Sequence, residues 1–239
     1  DYVRADRPQT SEAINAASNA AESWRNFGVQ ARSDLLDSIG NKLLNQKESI
    51  GSLLSREEGK TLPEGIGEVT RAGHIFKFFA GEVLRQAGDL LSSVRPGIDV
   101  EIVREPMGVI GIIAPWNFPA AIPAWKIAPA LAYGNCVVFK PADLVPGTAH
   151  AISKIIVDSG IPSGVFNFVM GRGSVVGEEI VSNQRVDAIT FTGSVETGQR
   201  VAQTAVARMA KFQLEMGGKN PLVVLDDADL TNAVECAVN

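Results

Sequence analysis

Residues 108–143 constrain the fold of this chain more than any other stretch. They read G-V-I-G-I-I-A-P-W-N-F-P, then A-A-I-P-A-W-K-I-A-P-A-L-A-Y-G-N, then C-V-V-F-K-P-A-D. Residues 108–114 form an apolar, β-branched run stopped by Pro115, the pattern of a strand buried on both faces. Residues 120–133 carry apolar side chains at helical spacing and close on Gly134, a residue suited to a left-handed cap. Residues 136–139 are a second buried strand, ending in Lys140 and Pro141. Strand, helix and strand in so short a span predict a right-handed βαβ unit of a parallel sheet. Ligands of open α/β sheets sit beyond the carboxyl ends of the strands. Asn117 and Lys140 fall there and are the first candidates for chemistry.

The N-terminal third reads as helices over residues 10–27 (N-cap Thr10 or Ser11), 33–44, 48–58 and 64–84. Gly59-Lys60-Thr61 imitates the tail of a phosphate-binding loop. That motif needs a glycine five residues before Gly59, where Leu54 stands, so the match is rejected. His74 has no Cys or His at ligand spacing and reads as an ordinary helix residue. Residues 90–105 change period and form a hairpin. Such a ribbon is marginal alone, so it either pairs with another chain or folds back on its own domain; the sequence weighs the two equally.

From residue 147 onward, helices and strands alternate: helix 147–159, strand 165–170, a Gly-rich turn and helix to 181, strand 187–191, a second Gly-rich turn and helix to 209. A strand over 211–215, a last strand over 222–225 and a helix capped by Asp226–Asp229 follow. The fold class is therefore α/β: a doubly wound, Rossmann-like parallel sheet with N-terminal helices and a protruding β-hairpin. The expected division is helical residues 1–88, hairpin 89–105 and dinucleotide-binding residues 106–239.

Composition excludes several functions. The net charge of −5 gives no electrostatic case for nucleic acid or an anionic membrane. No apolar run approaches the roughly 20 residues that span a bilayer. Two cysteines, Cys136 and Cys236, sit among apolar neighbours and argue against a disulfide framework and for the cytoplasm. Cys and His are too few and too scattered for a zinc site. The chain opens D-Y-V-R-A-D-R, without an initiator Met or a signal-peptide core, and stops inside a helical pattern. We expect both ends to be cut relative to the gene product.

Two Gly-rich turns lead from strands into helices. Gly171-x-Gly173-x-x-x-Gly177 is one residue longer than the usual dinucleotide fingerprint, and alone it marks only a tight turn. The second, Phe191 to Gly198, exposes backbone N–H groups at a helix start, where a phosphate is favoured; a plain Ser194 cap is the simpler reading. Both in one sheet favour a dinucleotide. Lys140 with Asp143 would grip ribose hydroxyls, and Asp143 would repel a 2′-phosphate; a loop ion pair is the alternative. Glu215, followed by Met216-Gly217-Gly218, stands where a general base could act, or is a solvent-facing strand residue. Asn117 could donate to an oxyanion or merely satisfy its turn. There is no Gly-x-Ser-x-Gly elbow and no Ser-x-x-Lys pair.

Together P-W-N-F-P (115–119), V-F-K-P-A (138–142), F-T-G-S-V-E-T-G (191–198) and L-E-M-G-G-K-N-P (214–221) resemble the aldehyde dehydrogenase superfamily. E-E-G-K-T (57–61) and the hairpin extend the resemblance over nearly the whole chain. It implies an NAD(P)-dependent enzyme in which a cysteine thiolate attacks an aldehyde. Asn117 then holds the oxyanion, hydride passes to the nicotinamide, and Glu215 activates water to hydrolyse the thioester. The implied cofactor contacts are Ile113 and Trp116 as walls, Lys140 and Asp143 at the adenosine ribose, Gly173 on the adenine side, and Phe191, Gly193 and Ser194 at the pyrophosphate turn. Met216 and Gly217 would meet the nicotinamide. The hairpin resembles the family's oligomerisation arm, implying a dimer or tetramer. D-V-E-I-V-R-E-P, with the run from A-W-K to L-V-P-G, is similar to enzymes acting on α-ketoglutaric semialdehyde.

Two departures stand out. Met216 replaces the family's usual Leu, a mild change. The family's nucleophile lies in a G-Q-x-C segment a few dozen residues after the general base. Here only 24 residues follow Glu215, and none forms it. Cys136 and Cys236 read as core. The expectation is a cofactor-binding half without its thiol; the alternative is a non-catalytic dinucleotide-binding or oligomerisation module.

Overall fold

A computed structural model describes residues 2–85 and 88–238. Four helices come first: α1 (Arg7–Arg25), α2 (Val29–Asn45), α3 (Lys47–Glu58) and α4 (Leu62–Glu82). The start of α1 corrects the expected cap. Asp6 is the N-cap: its carboxylate accepts from Gln9 N at 2.9 Å, and Gln9 Oε1 accepts from Asp6 N at 3.1 Å. This reciprocal capping box, with Pro8 in the first turn, starts the helix before Thr10.

Strands β1 (Asp89–Ser92) and β2 (Asp99–Ile102) pair antiparallel, Asp89 opposite Ile102. All eight residues are exposed, and the ribbon does not join the main sheet.

The expected βαβ unit forms as β3 (Val109–Ile113), α5 (Ala121–Ala132) and β4 (Cys136–Lys140), and Gly134 takes the left-handed conformation at φ +82°. Then come α6 (Pro146–Asp158), β5 (Phe166–Phe168), a π-helical turn (Gly173–Gly177) running into α7 (Glu178–Ser182), β6 (Ala188–Gly193), α8 (Val195–Ala207) and β7 (Lys211–Met216). All pairings in the sheet are parallel, in the order β5-β4-β3-β6-β7. The chain builds outward from β3 through β4 to β5, then returns across β3 to add β6 and β7. Right-handed crossovers therefore put α5 and α6 on one face and α7 and α8 on the other. Helix α1 packs against β4, β5 and α7, while α2, α3 and α4 pack outside α5 and α6. Strands β3 and β4 are buried along almost their whole length, as their unbroken apolar runs require. Asp187 ties the sheet centre together: its Oδ2 accepts from Val109 N at 2.8 Å.

Residues 222–225 are not a strand. Leu222, Val223, Val224 and Leu225 are exposed and have no strand beside them among the described residues. Extended backbone becomes a strand only when a neighbour takes up its N–H and C=O groups. Helix α9 (Leu230–Val238) follows, capped by Asp229, whose Oδ1 accepts from Thr231 N at 2.9 Å; Asn239 lies outside the described residues. No residue of α9 is buried, so Cys236, expected in the core, is exposed.

Candidate active site

The strand order reverses between β3 and β6, and a cleft opens at their carboxyl ends. Ile113 pairs with Phe191 at this point. A cavity of about 1330 Å³ lies over it, lined among others by Trp116, Asn117, Lys126, Lys140, Ser194 and Glu215. A second cavity of about 620 Å³, containing Gly173, shares Ile113, Phe191 and Thr197 with the first. The two form one cleft draped over the sheet edge, wide enough for an extended two-ended ligand.

Each candidate arrives by a definite route. Asn117 stands in the irregular connection between β3 and α5. Lys140 ends β4, only 5% exposed. Its Nζ donates to Pro141 O at 2.6 Å and to Asp143 Oδ1 at 3.3 Å. Burial pushes the Lys140 ammonium below the ordinary lysine value, against the opposing charge of Asp143. Asp143 itself does not line the cavity; it acts on the cleft through Lys140. Ser194 caps α8, accepting from Thr197 N at 3.3 Å. The first N–H groups of a helix lack intrahelical partners, and those of α8 emerge at the cleft. Gly193 lets Phe191 fold its ring against the turn: a Cβ on Gly193 would lie 2.6 Å from that ring. Glu215 and Met216 end β7 on the cavity wall with Gly217 just beyond, and Ile113, Trp116, Phe191 and Gly193 line it too. Asn117, Lys140, Ser194 and Glu215, from four separate segments of the chain, thus share one cleft.

Lys126 was missed by sequence reasoning. It lies on α5, 9% exposed, and its Nζ donates to Thr190 Oγ1 at 2.7 Å and to Gln213 Oε1 at 3.3 Å. Gln213 Nε2 in turn donates to Glu215 Oε1 at 2.8 Å. Burial lowers the Lys126 pKa to about 8, with the charge of Glu215 pulling it back up. The available signal was a lysine inside an otherwise apolar helix, and Gln213 and Glu215 two apart on one strand face.

The cleft fits a dinucleotide. A buried cation and a helix N-terminus suit ribose and phosphate oxygens. Open space lies where a Cβ of Gly173 or Gly217 would stand. Asn117 and Glu215 both line the same space. Cys136 is fully buried, and burial pushes its thiol up to about 12; a thiol that stays protonated is a poor nucleophile. Neither Cys136 nor Cys236 lines either cavity.

The chain is similar in sequence and fold to known proteins. An α-ketoglutaric semialdehyde dehydrogenase of Bacillus subtilis is 45% identical over 226 residues, 95% of this chain and 46% of its own. An NADP(+) succinate-semialdehyde dehydrogenase of Escherichia coli is 37% identical, over 96% of this chain and 48% of its own. The crystal structure of betaine aldehyde dehydrogenase from Staphylococcus aureus in complex with NAD+ superposes with a TM-score of 0.94 at 35% identity, over 97% of this chain and 46% of that one. The chain spans about half the length of the curated relatives it matches. Residues 1–239 match the aldehyde dehydrogenase family throughout, and the chain belongs to that family.

Proposed function

We propose that the protein oxidises an aldehyde to a carboxylic acid with NAD or NADP, and that its substrate is a semialdehyde of the α-ketoglutaric type. The observation that carries this reading is the meeting of Asn117 and Glu215 on one cavity beside Lys140 and Ser194. The semialdehyde class rests on relatives named for such substrates.

The nicotinamide supplies the hydride acceptor. The residues of this chain do the rest. Lys140 and the α8 N-terminus hold the sugar and phosphate oxygens, with Gly173 leaving room at the far end. Trp116 and Ile113 would wall the cofactor, and Met216 and Gly217 would hold its nicotinamide end. Asn117 donates its amide N–H to the oxygen that gains charge as the carbonyl is attacked. Glu215, held by Gln213, takes a proton from water to release the acid. The attacking thiol is neither Cys136, sealed in the sheet, nor Cys236, exposed on α9 away from the cleft; it comes from outside residues 1–239. The β1–β2 ribbon, exposed on both strands, is the arm through which copies of the protein associate. The two free cysteines suit a reducing compartment, and the cytoplasm is the location proposed.

Glu215→Gln in the intact protein tests this. Steady-state turnover should fall by about 10²–10⁴-fold, the usual contribution of a general base, while NAD affinity holds. Undiminished hydrolytic turnover would remove Glu215 from the mechanism.

A further inference from the structure

We propose that the Lys60–Glu68 pair is a positioning device: it fixes the main chain of residues 117–121 so that the Asn117 amide faces the cavity. The inference rests on the reading of Asn117 as the oxyanion donor. Neither residue lines the cavity, so neither is a catalytic residue.

The connection from β3 to α5 is irregular and has little to hold it. The N-cap of α5 is Ala120, whose side chain cannot cap, and the first turn of the helix is buried. Buried N–H groups without partners are strongly disfavoured. Glu68, reaching over from α4, supplies the missing cap: its Oε1 accepts from Ala120 N at 2.8 Å and from Ala121 N at 3.1 Å. A carboxylate at a helix N-terminus also complements the helix dipole. Its other oxygen, Oε2, accepts from Lys60 Nζ at 2.6 Å.

Lys60 continues the device into the loop. Its Nζ donates to Asn117 O at 3.0 Å, pairs with Glu58 Oε2 at 3.2 Å, and stands 4.1 Å above the centre of the Phe118 ring. Glu68 Oε2 and Asn117 O accept hydrogen bonds from the ammonium, Glu58 adds an ion-pair contact, and the aromatic face covers part of what remains. Burial would lower the Lys60 pKa, but Glu68 and Glu58 outweigh it and raise it above the ordinary value. The ammonium is thus kept charged. Loop and helix are held at Asn117 O, Ala120 N and Ala121 N through two side chains only 12% and 2% exposed. A buried ion pair adds little net stability, because desolvation offsets attraction. What this one supplies is geometry, at the residue where geometry matters. It also gives the Gly59-Lys60-Thr61 turn, rejected as a phosphate loop, its own role.

The test compares three forms of the full-length protein: Asn117→Ala, the neutral pair Lys60→Met with Glu68→Gln, and all three changes together. The pair of changes removes one charge of each sign and leaves the net charge unchanged, though Glu58 loses its cation; the Gln oxygen can still accept from Ala120 and Ala121. Asn117→Ala should lower kcat about 100-fold, the usual effect of losing one oxyanion donor. The neutral pair should lower kcat about tenfold through misplacement of that donor, with NAD Kd within about twofold of wild type. The triple variant should be no worse than Asn117→Ala alone, since a misplaced amide that is absent costs nothing more. Hydrogen exchange of a peptide spanning residues 115–122 should quicken in the neutral pair. A full kcat in the neutral pair beside an impaired Asn117→Ala, or multiplicative losses in the triple variant, would overturn the positioning role. If Asn117→Ala retained full kcat, the oxyanion reading would fail. Unchanged exchange at 115–122 would overturn the clamp whatever the kinetics.

Discussion

Lys126 on α5 and Glu215 on β7 are joined by one amide: Gln213 accepts from Lys126 Nζ at 3.3 Å and donates to Glu215 Oε1 at 2.8 Å. A cation held low by burial and the carboxylate proposed as the base are therefore coupled. Removing the charge of Glu215 takes away what holds the Lys126 pKa up against burial.

That coupling predicts a pH signature. The Lys126 pKa is lowered by burial to about 8 in the folded protein, against 10.5 for a free lysine. Between those values the unfolded chain holds one more proton than the folded one. Stability therefore gains from this residue as pH rises through the window, and the burial penalty is fully present below it. Lys126→Met should abolish this gain, so the advantage of the variant at neutral pH shrinks as pH climbs from about 8 to 10.5. Denaturant titrations of both forms across the window measure it. Parallel stability profiles would show that Lys126 titrates normally.

The second prediction concerns cofactor choice. Asp143 accepts from Lys140 at 3.3 Å at the end of β4. On the proposed reading its charge opposes a 2′-phosphate. A like-charge contact at close range near a protein surface is worth about 1–4 kcal/mol, so Asp143→Asn should move the NADP-to-NAD ratio of kcat/KM toward NADP by about tenfold or more. An unchanged or reversed ratio, measured with each cofactor at saturating aldehyde, would remove Asp143 from cofactor selection.

The third prediction is structural. Helices α3 and α4 approach so closely that a Cβ on Gly65 would lie 2.6 Å from Gly51 O. That neighbour is backbone and has no rotamer to yield. Gly65→Ala should destabilise by about 1–3 kcal/mol, as overpacked sites do, despite the roughly 1 kcal/mol better helix propensity of alanine. A melting temperature equal to or above wild type would contradict the close approach.

Strands β3 and β4 were legible in the sequence because a strand buried on both faces needs no partner-dependent pattern: V-I-G-I-I and C-V-V-F-K are apolar nearly throughout. The Gly-rich turns and the residues ending β4, β6 and β7 were legible for a related reason, since a parallel sheet sends its ligand residues to one edge. Lys126 was not. Helical periodicity assigns a lone lysine to the wet face, and only the packing of α5 by β3, β4 and α4 removes that face. The Glu68 cap was hidden for the same reason, since the acceptor lies 52 residues from its donor. Residues 222–225 failed in the opposite direction: their composition favours a strand, but pairing is a property of neighbours. The cap at Asp6 could have been read from the glutamine three residues on.

The central placement of β3 sets a schedule for the molecule's birth. The chain completes β3, β4 and β5 before β6 exists, yet β6 must return to the flank of β3, closing a separation of 78 residues between Val109 and Asp187. Long closures of this kind are slow. Until that one is made, the first strands leave an unpaired flank exposed to any chain nearby. The cleft is lined from both sides of that seam, so a ligand bound there would add its binding energy to the closure that is hardest to draw shut.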